Sequence, residues 1–441
     1  MFLIYASHIT NRLLYVLNYV FNEQLDTEFS VTDNKDEFLV ATNVEKITYA
    51  DESIGEDIFI HAHSLLLETV IKQIELDAGK INDQFVLFKS DKKDDFGFDV
   101  FAAIFFLLSR YEEYYDLPKD KFGNYDFQNS ILYKESVLDI PVIEQWMNLL
   151  TKKILERYPS FQIKSKPPYY LLSFDIDVAF AYRNRSFKRV IGGFGKKLLN
   201  FQFKDFTDQL LTILHVRKDM FDTFSYISSI MKNKKSLFFF NMGKYDVWDK
   251  NPSYQNKNFQ KLIQCILENN EVGLHPSYAS NADDRLISKE KKWLEEIIQT
   301  SINKSRQHHL KLQFPKTYNT LLKNQIAEDY TIGYHDAYGF RAGTSKPFLF
   351  FDVERNETTP LRLFPFCIME GTLNDVLHLS IRDAKEIISK LISVVCEYGG
   401  IFIPVWHNST LSNKDGWKNW REVFEHMLNE IDNHNMKNFL A

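Results

Sequence analysis

The sequence predicts an α/β protein in which a run of parallel βα units forms a barrel or a doubly wound sheet, preceded by a smaller α+β region. Two observations carry this. Short apolar runs at 169–174, 236–241, 271–274, 307–312 and 400–405 alternate with helical stretches, the pattern of strands joined by crossover helices. Before the first of them lies Lys164-Ser-Lys-Pro-Pro, whose charge and paired prolines suit a linker. The expected organisation is therefore residues 1–163, a linker at 164–168, and a second domain over 169–441.

Length and composition support a folded chain of this size. The 441 residues are 44% apolar, with 38 Phe and 22 Tyr against only 16 Gly and 12 Pro, so enough surface can be buried to offset chain entropy. A net charge of −6 supplies no basic field for binding nucleic acid, and the lysines at 232–235 read as a solvated loop. Three widely spaced cysteines, Cys265, Cys367 and Cys396, suit neither a disulfide framework nor a thiolate metal site and are expected to be thiols in a reducing compartment.

Along the first region, residues 1–12 are apolar only briefly before His8, Asn11 and Arg12, which suits a strand and helix rather than a secretory leader. Strands are expected at 38–41 and 58–61, and an amphipathic helix over 99–115. The helix runs into Arg110-Tyr-Glu-Glu-Tyr-Tyr-Asp, read as a cap beside solvent, and His61 and His63 as ordinary half-exposed residues. In the second region, about 183–235 is too long for a simple βα connection. It is expected to be a helical appendage, including 204–215, with a lid as the alternative. No window approaches the ~20 apolar residues of a membrane span, so the chain is placed in the cytoplasm, with peripheral membrane contact left open.

Chemistry-bearing residues gather at the ends of the apolar runs. Asp175 and Asp177, two apart at a strand end, point to one side, which suggests a metal ligand beside a base or a shared-proton pair. His275 ends another run, a common position for an imidazole ligand. In Arg306-Gln307-His308-His309, strand alternation would put Arg306 and His308 on one face and His309 on the other. His407 follows the run at 401–406, and Asp336 lies in Gly333-Tyr334-His335-Asp336. Loops at the carboxyl ends of parallel strands share one rim, so these residues can meet in space.

In order and type these residues resemble the polysaccharide deacetylase family, also called NodB homology or carbohydrate esterase family four, over about 169–428. The resemblance implies a distorted (β/α) barrel and a divalent metal, most suitably Zn2+. It implies Asp175 as base, Asp177 and His275 as metal ligands, Arg306 as the arginine that steadies the base, and His407 as general acid oriented by Asp336. The family's second motif carries two histidines four apart, whereas Ala279 stands at the second position here. His308 is the candidate replacement ligand, with His309 behind it. The stretch Gly339-Phe-Arg-Ala-Gly-Thr-Ser345 resembles a loop of a bacterial branch that carries an extra N-terminal domain, and Arg341 within it is a candidate for binding a substrate anion. Tyr278 and Trp406 are candidate pocket walls.

The function so implied is removal of an N-acyl, most simply acetyl, group from an amino sugar in surface polysaccharide or glycolipid biosynthesis. Two alternatives stay open: a catalytically inactive carbohydrate-binding or scaffold protein of the same fold, and a different metal-dependent amide hydrolase such as a deformylase.

Overall fold

The computed structural model describes residues 1–163, 166–184, 203–232 and 234–441. Lys164 and Ser165 of the expected linker, and 185–202 and 233 of the expected insertion, lie outside these residues.

The first region carries a four-stranded parallel sheet in the order β2-β1-β3-β4, from β1 (Phe2–Ala6), β2 (Phe29–Thr32), β3 (Glu45–Ala50) and β4 (Ile58–His61). An antiparallel hairpin, β5 (Ala78–Ile81) and β6 (Gln84–Leu87), follows. The opening residues form the expected strand and helix, the helix Asn11–Leu17 starting at Thr10, whose hydroxyl accepts from Leu13 N. Residues 38–41, expected as strand, mostly fall in the helix Lys35–Val40 instead. Asn34 Oδ1 accepts from Asp36 N and Glu37 N, and this cap overrides the local β preference.

The helix Val100–Leu108 begins at Asp99, which caps it through Phe101 N and Ala102 N, and every residue in it is buried. It ends where Arg110 takes φ 52°. The segment after it, expected beside solvent, reaches solvent only toward its end: Arg110, Tyr111 and Glu112 are buried, and Asp116 is exposed.

The second region is built on a nine-stranded sheet in the order β13-β14-β12-β11-β10-β9-β8-β17-β15. Its strands are β8 (Ser173–Ile176), β9 (Leu237–Asn241), β10 (Glu271–His275), β11 (Lys304–Ser305), β12 (Glu328–Asp329), β13 (Phe348–Asp352), β14 (Glu357–Leu363), β15 (Ile368–Met369) and β17 (Pro404–His407). All ladders are parallel except β13 with β14. The run at 169–174 is two strands, since β7 (Tyr169–Tyr170) pairs with β16 (Ile401–Phe402) and β18 (Lys437–Asn438) in a small separate sheet. Residues 307–312, expected as strand, contain the turn His308–Leu310, because His309 and Leu310 take φ 55° and 50° and swing the chain out of an extended path.

The ladder is open, with β13 and β15 at its ends, and among the described residues no strand pairing joins those ends into a barrel. One chain segment nevertheless touches both sides of the opening. β14 pairs with β12, Phe366 N donates to Ile332 O at 3.1 Å, Cys367 N donates to Ile403 O at 3.1 Å, and β15 then pairs with β17.

A continuous apolar core runs through both regions. The Tyr15 and Phe105 rings lie 5.1 and 5.2 Å from Phe351. The stretch 339–345 sits at this seam, where Gly343 takes φ 65° and a Cβ would come 2.7 Å from Leu107. Beside it, Glu144 accepts from the Thr344 hydroxyl at 2.7 Å and from Ser345 N at 3.0 Å. Among the described residues no helix is long and apolar enough to cross a membrane.

Candidate metal centre

Parallel strands send their carboxyl ends to one edge of the sheet, and neighbouring strands β11, β10, β9, β8 and β17 each deliver a polar residue there. Asp175 lies within β8 beside His407 of β17, and His275 ends β10 beside Asn241 of β9. Asp177 follows β8 by one residue, so its carboxylate reaches the same side as Asp175.

Asp177 sits at the centre. Its Oδ1 is 3.0 Å from His275 Nε2, and its Oδ2 is 3.5 Å from both His308 Nε2 and His407 Nε2. Ligand atoms of Asp177, His275 and His308 all lie within 4.8 Å of one another. The far nitrogen of each imidazole is already committed. His275 Nδ1 donates to Arg306 O at 2.5 Å, and His308 Nδ1 donates to Asp249 Oδ1 at 2.7 Å, which leaves both Nε2 atoms facing the carboxylate. Asp249 is itself held by Asn241 Nδ2 at 2.7 Å and by Tyr278 N at 3.2 Å.

These residues fit a divalent cation. Asp177 Oδ1 is enclosed and has no hydrogen-bond partner although an imidazole nitrogen faces it, which is the environment a positive ion would satisfy. Two imidazoles and one carboxylate, each imidazole backed by a carbonyl or carboxylate, form a donor set suited to zinc with one position left open.

The same contacts set the protonation balance. Loss of water would raise the Asp177 carboxyl, yet His308 and His407 hold it well below the ordinary carboxylate range. Burial pulls His308 down, but Asp177 and Asp249 outweigh it and push the imidazole up to about 10. His309 goes the other way, to about 4, through burial and the neighbouring His308 charge.

Two further pairs flank this set. Asp175 is buried and takes a bond from Arg306 Nη1 at 2.8 Å, with its Oδ2 4.0 Å from His275 Nε2. Arg306 is fixed in turn by Ser173 Oγ and Tyr330 O, both at 2.9 Å, and lies over the Phe239 ring at 4.6 Å. On the other side, His407 Nδ1 faces Glu370 Oε1 at 2.8 Å, and the same oxygen accepts from His407 N and the Thr410 hydroxyl. Burial lowers His407, but Glu370 and Asp177 raise it to about 10.

Asp175, Asp177, His275, Arg306, His308 and His407 thus come together. Three other expectations require correction. Asp336 does not orient His407: its carboxylate is taken by the adjacent His335, and Glu370 holds His407 instead. Arg341 does not present its guanidinium to a substrate anion, because it is buried and bonded to the Glu113 carboxylate and to Gly333 O. Trp406 is not a pocket wall. Strand alternation turns it away from His407 into the core, where its ring lies 4.8 Å from Phe424. Tyr278 is half-buried, 5.0 Å from the Trp248 ring and 5.4 Å from His309.

Sequence reasoning missed Glu370 and Asp249. Glu370 ends the apolar run 366–369 and carries the same strand-end signal as Asp175 and His407, so it was findable. Asp249 lies in a loop with no apolar run before it and offered no such signal.

Among the comparisons, a family model described as a family of unknown function (DUF7033) matches residues 2–159, less than half of the chain. No curated protein matches. Among solved structures, a Mycobacterium smegmatis protein assigned as a polysaccharide deacetylase is 14% identical at a TM-score of 0.38, covering 61% of this chain and 88% of its own. The Xyl-CE4 domain of a multidomain xylanase from the hindgut metagenome of Trinervitermes trinervoides is 10% identical at a TM-score of 0.30, covering 62% and 87%. A CE4 family pseudoenzyme from Bacillus anthracis is 12% identical at a TM-score of 0.31, covering 62% and 64%.

Proposed function

We propose that this protein is a metal-dependent hydrolase that removes an N-acyl group, acetyl in the simplest case, from an amino sugar of a surface polysaccharide or glycolipid precursor. The observation that carries the reading is the three-residue donor set Asp177, His275 and His308, flanked by one carboxylate held on an arginine and one imidazole held on a glutamate. Asp177, His275 and His308 would hold the cation, with Zn2+ the best match to two imidazoles and a carboxylate. When bound, it supplies Lewis-acid polarisation of the acyl carbonyl and lowers the pKa of water toward ~7.

The chain's own groups do the rest. Asp175, oriented by Arg306, takes the proton of the attacking water as its oxygen joins the acyl carbon. His407, held by Glu370 with Nε2 toward the cluster, gives its proton to the nitrogen as the carbon–nitrogen bond breaks. The products are the free acid and the amine. The same reading takes the sheet as a distorted (β/α) barrel closed through 363–368, and 1–163 and 169–441 as its two domains.

Zinc-loaded protein incubated with N-acetylated hexosamines, free and in oligomers, should release acetate, and His407→Ala should release at least ~100-fold less. Release from none of them, with zinc bound, would remove the amino-sugar reading and leave another amide substrate.

A further inference from the structure

A turn of the first region reaches the candidate centre. Asp120 Oδ1 accepts from Phe122 N at 2.8 Å and from Asn124 N at 2.7 Å, folding 120–124 into a tight loop in which Gly123 takes φ 76°. The loop is pinned onto the segment that follows the ligand His308. Leu312 N donates to Asn124 Oδ1 at 3.0 Å, and Lys311 Nζ donates to Phe122 O.

This docking sets the Phe122 ring almost parallel to the His309 ring, 5.4 Å away at 25°. Trp248 and Tyr278 complete the group, 5.3 and 5.4 Å from His309 and nearly perpendicular to it. Phe122 also lies 6.3 Å from Trp248. His309 in turn is 4.2 Å from the ligand His308, ring to ring. The group is therefore an aromatic wall that begins one ring from the candidate metal.

Two features mark the wall as a binding surface rather than a core. It is open: Trp248 is 42% exposed, and Phe122, Tyr278 and His309 are only partly buried. It also holds an unmet polar atom, since His309 Nε2 is enclosed and has no hydrogen-bond partner. Broad π faces around one ring nitrogen suit a ligand with apolar C–H faces edged by hydroxyls, which describes a sugar ring.

Resting on the hydrolase reading above, we propose that Phe122, Trp248, Tyr278 and His309 form a subsite for a second sugar ring, and that the first region, through Phe122, completes the site. The substrate class is then an oligosaccharide rather than a single amino sugar, and the region matching the family of unknown function acts as a specificity element.

The test uses the full zinc-loaded chain and Trp fluorescence titrations with N-acetylglucosamine and its β-1,4-linked tetramer, on wild type, Phe122→Ala, Phe122→Tyr and Trp248→Ala. Calorimetry reads the last variant, whose reporter is removed. Wild type should bind the tetramer at least about tenfold tighter than the monomer, the scale of one or two aromatic contacts. Phe122→Ala and Trp248→Ala should lose that preference while keeping their zinc, and Phe122→Tyr should retain it. Equal affinity for monomer and tetramer, a preference that survives Phe122→Ala, or no binding of either sugar by wild type would each overturn the proposal. Tetramer binding that depends on Phe122, without acetate release, would uphold the subsite while removing the hydrolase reading.

Discussion

The Arg110–Glu112–Glu113–Arg341 cluster and the Asp177–His275–His308 cluster are both assembled from ionisable side chains wholly or largely withdrawn from solvent, but they treat their charge differently. In the first, Glu113 Oε1 accepts from Arg110 Nε at 2.8 Å and from Arg341 Nε at 2.9 Å, and its Oε2 from Arg341 Nη2. Glu112 takes Arg110 Nη2 at 2.8 Å, the Ser130 hydroxyl and Ile131 N. Both carboxylates are fully engaged, and the cluster ties the two regions together. In the second, the imidazole nitrogens that could donate outward are turned to fixed acceptors, and the remaining ligand atoms face one another around an unpartnered carboxylate oxygen. What separates structural charge from a site is whether the lone pairs are used up or aimed at a common point.

The comparison can be broken at either cluster. The largest effect is expected at the groups flanking the candidate metal ligands: Asp175→Asn and His407→Ala should lower turnover by roughly 10²–10⁴-fold while zinc stays bound. Loss of zinc from either variant would place that residue among the ligands instead. In the structural cluster, Glu113→Gln leaves two buried guanidinium groups short of counter-charge and should cost about 3–5 kcal/mol in urea unfolding. Zinc affinity of the folded fraction should be unchanged, and a parallel loss of affinity would show that the two clusters are coupled.

A smaller change follows from Asp249→Asn, which weakens the acceptor behind His308 and should reduce zinc affinity about 10–100-fold by calorimetry. The same imidazole also sets a pH dependence. His308 stands at about 10 in the folded chain, above its ordinary value, so its proton competes with the cation. Zinc affinity should therefore rise with pH by up to about tenfold per unit from neutrality toward that value, with protons released on binding. A flat profile would mean that His308 gives up no proton to the metal.

Much of this contrast was legible in the sequence where one rule sufficed. A polar residue closing an apolar run marked Asp175, Asp177, His275 and His407, because parallel strands must deliver their ends to one rim. The candidate ligand His308 was reached through Arg306, two residues before it, although the expected strand there is a turn. What failed depended on which of several buried polar groups find one another. Asp336 and Glu370 carry the same strand-end signal, and only packing decides that β15 lies beside β17 and puts Glu370 against His407. Arg341 was read as a free cation because its partner Glu113 is more than two hundred residues away. Phe122 gave no signal at all, since its place beside His309 arises only when the first region docks on the turn after His308.

The most direct test is the zinc content of purified, reconstituted protein, read by elemental mass spectrometry for wild type, Asp177→Ala, His275→Ala, His308→Ala and, as a folded control, His309→Ala. We expect about one zinc per chain in wild type and His309→Ala, as a single three-ligand site requires, and far less than stoichiometric zinc in the other three. Wild type without zinc, or Asp177→Ala and His308→Ala that keep it, would contradict the assignment of this cluster as a metal centre.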